Sequence, residues 1–140
     1  MKQTAIKAAK EAGKIIMDNY GKIKEISFKE SKKSLLTKTD LKADKIIISI
    51  IQKKFPEHNI ISEEMGNLNK KSRYTWVIDP LDGTTNYAAG IPFFCTSIAV
   101  AKNDKVILGV VYEPLRKEMF FAEKNKGAFL NNKKINASNR

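Results

Sequence analysis

Apolar residues at helical spacing predict two helices in the first 55 residues of the chain. From Thr4 to Tyr20 they recur every three or four positions with Lys and Glu between them, which is typical of an amphipathic surface helix, and Gly21 is placed to end it. The Ile-rich run that follows Asp40 fits either a strand or a helix by pattern alone. Its length, the cap-like Asp40 and the terminating Pro56 favour a second helix.

The pattern between and after these helices favours strands. Ile23, Ile26 and Phe28 suggest a short exposed strand, followed by a polar loop at Glu30–Ser34. Beyond residue 58, short β-branched and aromatic runs alternate with turn residues; the predicted strands are Asn59–Ser62, Tyr74–Ile78, Thr96–Ala101, Val106–Tyr112, Met119–Ala122 and Ala128–Leu130, with a polar linker at Asn67–Lys71 and a hairpin at Asn103–Asp104. Two helices followed by a meander predict an α+β layer, with both helices on one face of a mainly antiparallel sheet.

Two carboxylates follow the central predicted strand, and no base lies near them in the sequence. Asp79 ends this strand, where Pro80 stops the hydrogen-bond ladder, and Asp82 comes three residues later. No Lys or Arg occurs from Tyr74 to Ala101, although the chain has 26 such residues. Unpaired carboxylates in an apolar neighbourhood are protonated, paired with a distant base or bound to a cation. A cation fits best, and oxygen ligands without adjacent His or Cys favour Mg²⁺ over Zn²⁺.

The residues after Asp82 suit an anion. Gly83 allows close approach of the backbone to a ligand, and Thr84 and Thr85 suit the first turn of a helix, whose N–H groups can bind phosphate. A cation beside such donors indicates phosphoryl chemistry. The alternative is a simple polar turn between two strands, since Asp, Pro and Gly are common turn residues. That alternative explains the turn but neither the missing bases nor the Gly-Thr-Thr sequence.

The whole stretch resembles the signature of a known family. Residues 79–87 read Asp-Pro-Leu-Asp-Gly-Thr-Thr-Asn-Tyr, which closely resembles the motif of the inositol monophosphatases, Mg²⁺-dependent phosphomonoesterases. The resemblance implies that the chain is the N-terminal, metal- and phosphate-binding half of a five-layered αβαβα sandwich, over residues 1–140. It also implies hydrolysis of inositol monophosphate or a related sugar phosphate, toward which Thr85–Asn86 leans. Fructose-1,6-bisphosphatase activity is the alternative.

The resemblance implies roles for individual residues. Glu63, in the element Ile-Ser-Glu-Glu, would bind one Mg²⁺ with Asp79 and the Leu81 carbonyl, and Asp79 and Asp82 would bind a second; the implied metal ligands are therefore Glu63, Asp79, Leu81 and Asp82. The implied catalytic residues are Glu63, Thr84 and Asp40, with Thr84 orienting the attacking water and Asp40 supporting Thr84. The implied substrate-binding residues are Glu63, Leu81, Asp82, Gly83 and Thr84. Lys29 aligns with a basic residue near the pocket. Taken alone, Glu63 and Glu64 are an ordinary solvated pair of like charges.

The net charge of +11 raises nucleic-acid binding as an alternative. Only Arg73, Arg116 and Arg140 are arginines, whereas specific phosphate or base recognition tends to recruit Arg, so solvated lysine surfaces are the simpler interpretation. There is no run of 18 apolar residues and no apolar signal-peptide core. Cys95 is the single cysteine and is interpreted as packed, and the single His58 as a surface residue. Together these features predict a cytoplasmic protein with no membrane or nucleic-acid partner.

The chain lacks one element that the resemblance leads us to expect. No Trp-Asp pair occurs, and Trp76 is the sole tryptophan, so a further metal-binding aspartate is missing. The sheet face meant for the missing half would expose apolar side chains from Ile98, Val100, Val110 or their alternates, which favours a homodimer or a complementing C-terminal half. The alternative is a truncated, non-catalytic relative with a binding or regulatory role.

Overall fold

The computed structural model describes residues 1–139 and has two long helices packed on one eight-stranded sheet. The helices are α1 (Lys2–Glu25), α2 (Lys29–Lys54) and the short α3 (Thr84–Ala88). The strands are β1 (Asn59–Ser62), β2 (Gly66–Leu68), β3 (Tyr74–Asp82), β4 (Cys95–Lys102), β5 (Lys105–Glu113), β6 (Glu118–Glu123), β7 (Gly127–Leu130) and β8 (Lys133–Ile135). Their order is β2-β1-β3-β4-β5-β6-β7-β8, and β1–β3 is the parallel pair in an otherwise antiparallel sheet. The predicted α+β class is confirmed.

Both long helices extend further than the pattern predicts. α1 continues through Gly21, beside which a Cβ would meet nothing within 4 Å, and ends only at Glu25. Ile23 is fully buried and extends the stripe of Ile16 and Tyr20 at spacings of four and three, so it belongs to a helix and the predicted strand is wrong. The predicted polar loop at Glu30–Ser34 is also wrong, because these residues form the first turns of α2.

The two faces of the sheet differ sharply in burial. The face toward α1 and α2 carries most of the apolar core; its largest strand side chains are Trp76, Ile78, Ile98, Val100, Leu108, Val110 and Phe121. The opposite face, called the outer face below, exposes Val77 (42%) and Val111 (38%). Ile98, Val100 and Val110 are therefore covered by the helices, and of the residues that alternate with them Ala99 and Gly109 are half-buried and Val111 is exposed.

Small residues form a row across the outer face. The strand register aligns Val77 of β3 with one residue on each of the next four strands. In order from β4 to β7 these are Ala99, Gly109, Ala122 and Ala128. These positions alternate with the buried residues along each strand, so they share one face of the sheet. The centre of the outer face is consequently shallow and apolar.

Two short strands and one proline differ from the sequence interpretation. β2 and β8 are fully exposed and were not predicted; residues 67 and 68 of the predicted linker belong to β2. β3 does not stop at Pro80 but continues to Asp82 with a register shift, and the Thr96 hydroxyl donates to the Pro80 carbonyl at 2.9 Å. The predicted hairpin at Asn103–Asp104 is present, with φ of 48° and 62°. None of the helices in residues 1–139 combines the length and apolarity that crossing a membrane requires.

His58 is not the surface residue that the sequence suggests. Its ring is half-buried and stacks between Phe55 (4.7 Å between centroids) and Tyr74 (4.8 Å), and its Nδ1 accepts a hydrogen bond from Trp76 Nε1 at 3.0 Å. Burial lowers the pKa of His58 below its ordinary value. The polar residues around His58 in the sequence concealed this aromatic stack, which forms only when β1 and β3 come together.

Candidate active site

The parallel pairing of β1 and β3 brings the two acidic motifs together. Ser62 pairs with Ile78, so Glu63 and Asp79 leave the same end of the sheet on neighbouring strands. The Glu63 N–H donates to the Ile78 carbonyl at 3.4 Å and extends the pairing by one step. Residues 16 positions apart in sequence thus come to share one site.

Asp79 lies at the centre of this site. Its Oδ1 is buried and has no hydrogen-bond partner within residues 1–139. Burial, followed by the negative charges of Glu63 and Asp82, raises the pKa of Asp79 to about 6, while the backbone N–H of Leu81 partly offsets this by donating to the carboxylate. Two predicted ligands therefore lie close enough to Asp79 to perturb its proton affinity.

Asp40 joins the site from α2. It is only 7% exposed, and its Oδ1 also lacks a partner in the described chain. Burial, followed by the charge of Glu64, raises the pKa of Asp40 to about 7, with smaller contributions from Asp79 and Glu63. Glu64 had been assigned no role from the sequence, and only the packing of α2 against the β1–β2 turn places it beside Asp40. We call Asp40, Glu63, Glu64, Asp79 and Asp82 the acidic cluster.

A second buried carboxylate, Asp44, was also missed. It lies one turn after Asp40 on α2 and is fully buried. Its Oδ2 accepts hydrogen bonds from the Ser62 hydroxyl and from the Met65 N–H, the latter at 3.0 Å. The four-residue spacing from Asp40, which puts both carboxylates on one side of the helix, is the signal that could have revealed it.

The turn between β3 and α3 is built around a glycine. Gly83 adopts φ 87°, and a Cβ at this position would lie 2.9 Å from the Phe93 carbonyl oxygen, so other residues are strained and crowded here. Thr84 begins α3 and is half-buried, while Leu81 is 2% exposed and Asp82 is exposed. Backbone N–H groups of the first helical turn lack intrahelical partners, so the predicted anion donors follow Asp82 directly.

Two residues to which the resemblance gives a role, Asp40 and Lys29, differ in how they relate to the site. Asp40 Oδ1 has no hydrogen-bond partner in residues 1–139, so it makes no bond to the Thr84 hydroxyl. Lys29 is the exposed first residue of α2, and none of the ion pairs found within residues 1–139 involves it or the acidic cluster. The negative charge of the cluster is therefore not neutralised by a basic side chain of the described chain.

The chemistry of the acidic cluster fits a hard cation, although its side chains are not set around one. No three His, Cys, Asp or Glu side chains within residues 1–139 are arranged as a group that could hold a metal ion. The carboxyls instead approach one another in pairs, Asp79 with Glu63 and Asp40 with Glu64. Buried carboxylate oxygens that make no hydrogen bond or ion pair within residues 1–139 are hard donors of the kind that Mg²⁺ or Ca²⁺ prefers.

A cleft opens beside the acidic cluster. It has a volume of about 510 Å³ and is lined by Asp82, Gly83, Phe93, Cys95 and Arg116, among others. Burial, followed by the charge of Asp82, raises the pKa of the Cys95 thiol to about 11, so it is protonated at neutral pH and suits packing rather than nucleophilic attack. The cleft therefore joins the carboxylate Asp82 and the Gly83 turn to an open, partly apolar space.

Comparison with known proteins identifies the group to which this site belongs. Residues 1–140 match the profile of the "Inositol monophosphatase family". The chain is 39% identical over 142 residues to Nus factor SuhB of Pasteurella multocida, covering 100% of this chain and 53% of that protein. It is 39% identical over 138 residues to inositol monophosphatase 1 of Homo sapiens, covering 96% of this chain and 50% of that protein.

Solved structures agree with the sequence comparison. The crystal structure of extragenic suppressor protein suhB from Bartonella henselae superposes with a TM-score of 0.88 at 34% identity, covering 99% of this chain and 54% of that one. The chain spans about half the length of the curated relatives it matches. The profile match over the whole sequence shows that the chain belongs to the inositol monophosphatase family.

Proposed function

We propose that this chain is the metal- and phosphate-binding half of a Mg²⁺-dependent phosphomonoesterase that hydrolyses inositol monophosphate or a related sugar phosphate. The observation that supports this most directly is the acidic cluster, in which buried oxygens of Asp40 and Asp79 lack partners beside a glycine turn and a helix start. Family membership supports the phosphatase class. The choice of Mg²⁺ follows from the oxygen ligands.

The proposed ligand set uses residues that the fold has brought together. Glu63, Asp79 and the Leu81 carbonyl would hold one Mg²⁺, and Asp79 with Asp82 would hold a second. When bound, Mg²⁺ would activate water and neutralise negative charge on the phosphate. Burial, followed by the like charges of Glu63 and Asp82, raises the pKa of Asp79 to about 6, and a bound cation would favour the ionised carboxylate.

The remaining residues would act on the substrate and the attacking water. The backbone N–H groups at Gly83 and Thr84 would bind phosphate oxygens, as N–H groups at a helix start do for anions. Thr84 would orient the water, and Asp40 would support the Thr84 hydroxyl after a side-chain rotation, since no hydrogen bond joins the two here. Without metal, burial and then the charge of Glu64 raise the pKa of Asp40 to about 7.

We further propose that a second polypeptide half completes the site over the outer face. Val77 and Val111 are 42% and 38% exposed there, beside a row of small residues. A monomer rarely leaves so continuous an apolar surface uncovered. The completing half would correspond to the part of the relatives that this chain does not span; a homodimer is the alternative. A cytoplasmic location and the absence of a nucleic-acid partner remain predictions from the sequence.

A chimera tests the proposed function. The 140 residues would replace the matching front half of SuhB from Pasteurella multocida, and phosphate release from inositol 1-phosphate and fructose 1,6-bisphosphate would be measured with Mg²⁺ and with chelator. We expect Mg²⁺-dependent release, faster with inositol 1-phosphate, that Asp79→Asn abolishes. Asp104→Asn, which makes the same charge change in an exposed hairpin turn, is the matched control and should be as active as the parent.

The same assay separates the alternatives. Preference for fructose 1,6-bisphosphate would replace the substrate assignment but keep the metal site. A folded chimera that releases no phosphate with either substrate would contradict the phosphatase proposal and favour a non-catalytic relative. Parallel assays of the 140-residue chain alone would show whether a homodimer assembles a working site.

A further inference from the structure

The turn that carries Glu63 and Glu64 is anchored to α2 through Asp44. Both glutamates are exposed, so side-chain packing does not hold them in place. Their position depends on the backbone of residues 62–65, which joins β1 to β2. Ser62, the first residue of this turn, is 4% exposed and lies under the turn rather than in solvent.

The hydrogen bonds of this turn converge on two buried side chains. The Ser62 hydroxyl oxygen accepts from the N–H groups of Glu64 (3.2 Å) and Met65 (3.1 Å), and the same hydroxyl donates to Asp44 Oδ2. Asp44 Oδ2 also accepts from the Met65 N–H at 3.0 Å. The Ser62 hydroxyl before the two glutamates and the Met65 N–H after them therefore both donate to Asp44. The Glu64 N–H between them donates to the Ser62 hydroxyl oxygen.

The energetic context argues against a purely stabilising role for Asp44. A fully buried carboxylate with one oxygen lacking a partner costs free energy that an apolar residue of similar size would not. What Asp44 provides is an acceptor for two donors from the same turn, which fixes the direction in which Glu63 leaves β1. Groups that orient a metal ligand in this way typically contribute tenfold or more to metal affinity.

We propose that Asp44 is a positioning residue that, through Ser62, holds Glu63 in place for metal binding. The proposal rests on the metal site of the proposed function and adds residues to which neither the family motif nor the comparisons assign a role. It predicts that loss of the hydrogen bond between Ser62 and Asp44 weakens Mg²⁺ binding more than it lowers folding stability.

The test is calorimetric titration of the 140-residue chain with Mg²⁺, together with thermal unfolding of each variant without the ion. We expect Asp44→Ala and Ser62→Ala each to raise the Kd for Mg²⁺ about tenfold or more. Asp44→Asn keeps a carbonyl acceptor for both donors and should stay within about threefold of the parent. Ile47→Val, at a fully buried position on the same helix, should lower the melting temperature but leave the Kd unchanged.

The outcomes distinguish this inference from the proposed function. Absence of Mg²⁺ binding by the parent chain would overturn this inference, whereas phosphate release by the chimera decides the proposed function. If the parent binds Mg²⁺ and the Kd is unchanged in Ser62→Ala, the positioning role alone is overturned. Ser62→Ala keeps the Asp44 carboxylate in place, so it provides this test even if Asp44→Ala fails to fold. A Kd raised equally by Ile47→Val would mean that general destabilisation, and not the Asp44–Ser62 contact, weakens the site.

Discussion

The apolar core beneath the helices and the acidic cluster at the ends of β1 and β3 are two neighbouring regions built on opposite principles. In the core, residues such as Ile98 and Val110 are almost completely buried against α1 and α2. In the acidic cluster, Asp40 and Asp79 bury oxygens that have no partner in residues 1–139, and their pKa values are raised to about 7 and about 6. The first region stabilises the fold, whereas the second lowers its stability, which is typical of a site that binds a ligand.

The largest effect should come from the core. Ile98→Ala, at a position 1% exposed, should lower the free energy of unfolding by about 2–5 kcal/mol, because it leaves a cavity in a packed interior. The matched control is Ile61→Ala, which removes the same atoms from a strand position that is 43% exposed and should cost less than about 1 kcal/mol. Urea unfolding followed by Trp76 fluorescence measures both, and equal losses would contradict the division between the two regions.

In the acidic cluster, substitution should raise the free energy of unfolding instead of lowering it. Asp40→Asn should raise the free energy of unfolding at pH 8, without metal, by about 1–3 kcal/mol, since it removes a buried charge that faces Glu64. Asp79→Asn should also stabilise the folded chain, because it removes a charge that is partly buried and faces Glu63 and Asp82. The two should differ in their response to Mg²⁺, because only Asp79 is a proposed ligand: thermal stabilisation by Mg²⁺ should persist in Asp40→Asn and vanish in Asp79→Asn. Destabilisation by both substitutions would refute the assigned cost.

The pH dependence should follow from the same pKa shifts. Asp40 and Asp79 have folded pKa values above the ordinary 3.8, so the folded chain binds more protons than the unfolded chain between these values, and stability falls as pH rises through this range. The advantage of the double variant Asp40→Asn/Asp79→Asn over the parent should therefore be smaller at pH 5 than at pH 8. Urea unfolding without metal at both pH values measures this difference in the free energy of unfolding. A larger difference at pH 5 than at pH 8 would contradict the raised pKa values.

The smallest effect on folding should come from the outer face. Val111→Lys, at a position 38% exposed, should change the free energy of unfolding by less than about 0.5 kcal/mol but reduce self-association of the 140-residue chain. Val106→Lys, on the same strand and 64% exposed near the hairpin, is the control and should leave association unchanged. Sedimentation velocity over a concentration series would show the difference, and a parent chain that stays monomeric would argue against a homodimer.

The sequence marks the candidate site more clearly than it marks the boundaries of the helices. The stretch from Asp79 to Thr84 identified itself because turn residues, carboxylates and a gap in basic residues coincide there. The end of α1 was missed because Gly21 is a common helix terminator, yet here it is exposed and the buried stripe continues to Ile23. Local chemistry marked the site, whereas tertiary packing decided where the helix ends.

Other features could not be read from a single sequence. β2 and β8 have no buried side chain and are defined by backbone pairing alone, so hydrophobic alternation cannot reveal them. The contacts of Glu64 with Asp40 and of Ser62 with Asp44 join α2 to the end of β1 and the turn after it, segments that are 24 and 18 positions apart. Such proximity depends on topology, which local patterns do not specify.

The row of small residues on the outer face has a genetic consequence. A Cβ added at Gly109 would meet no atom within 4 Å, so Gly109→Ala is sterically harmless to this chain by itself. Once a second half lies over the row, the same added atoms would occupy the space that its backbone needs. If the proposed function holds, substitutions at Ala99, Gly109, Ala122 and Ala128 should be silent in a screen for folding of the half-chain and deleterious in a screen for phosphatase activity of the chimera.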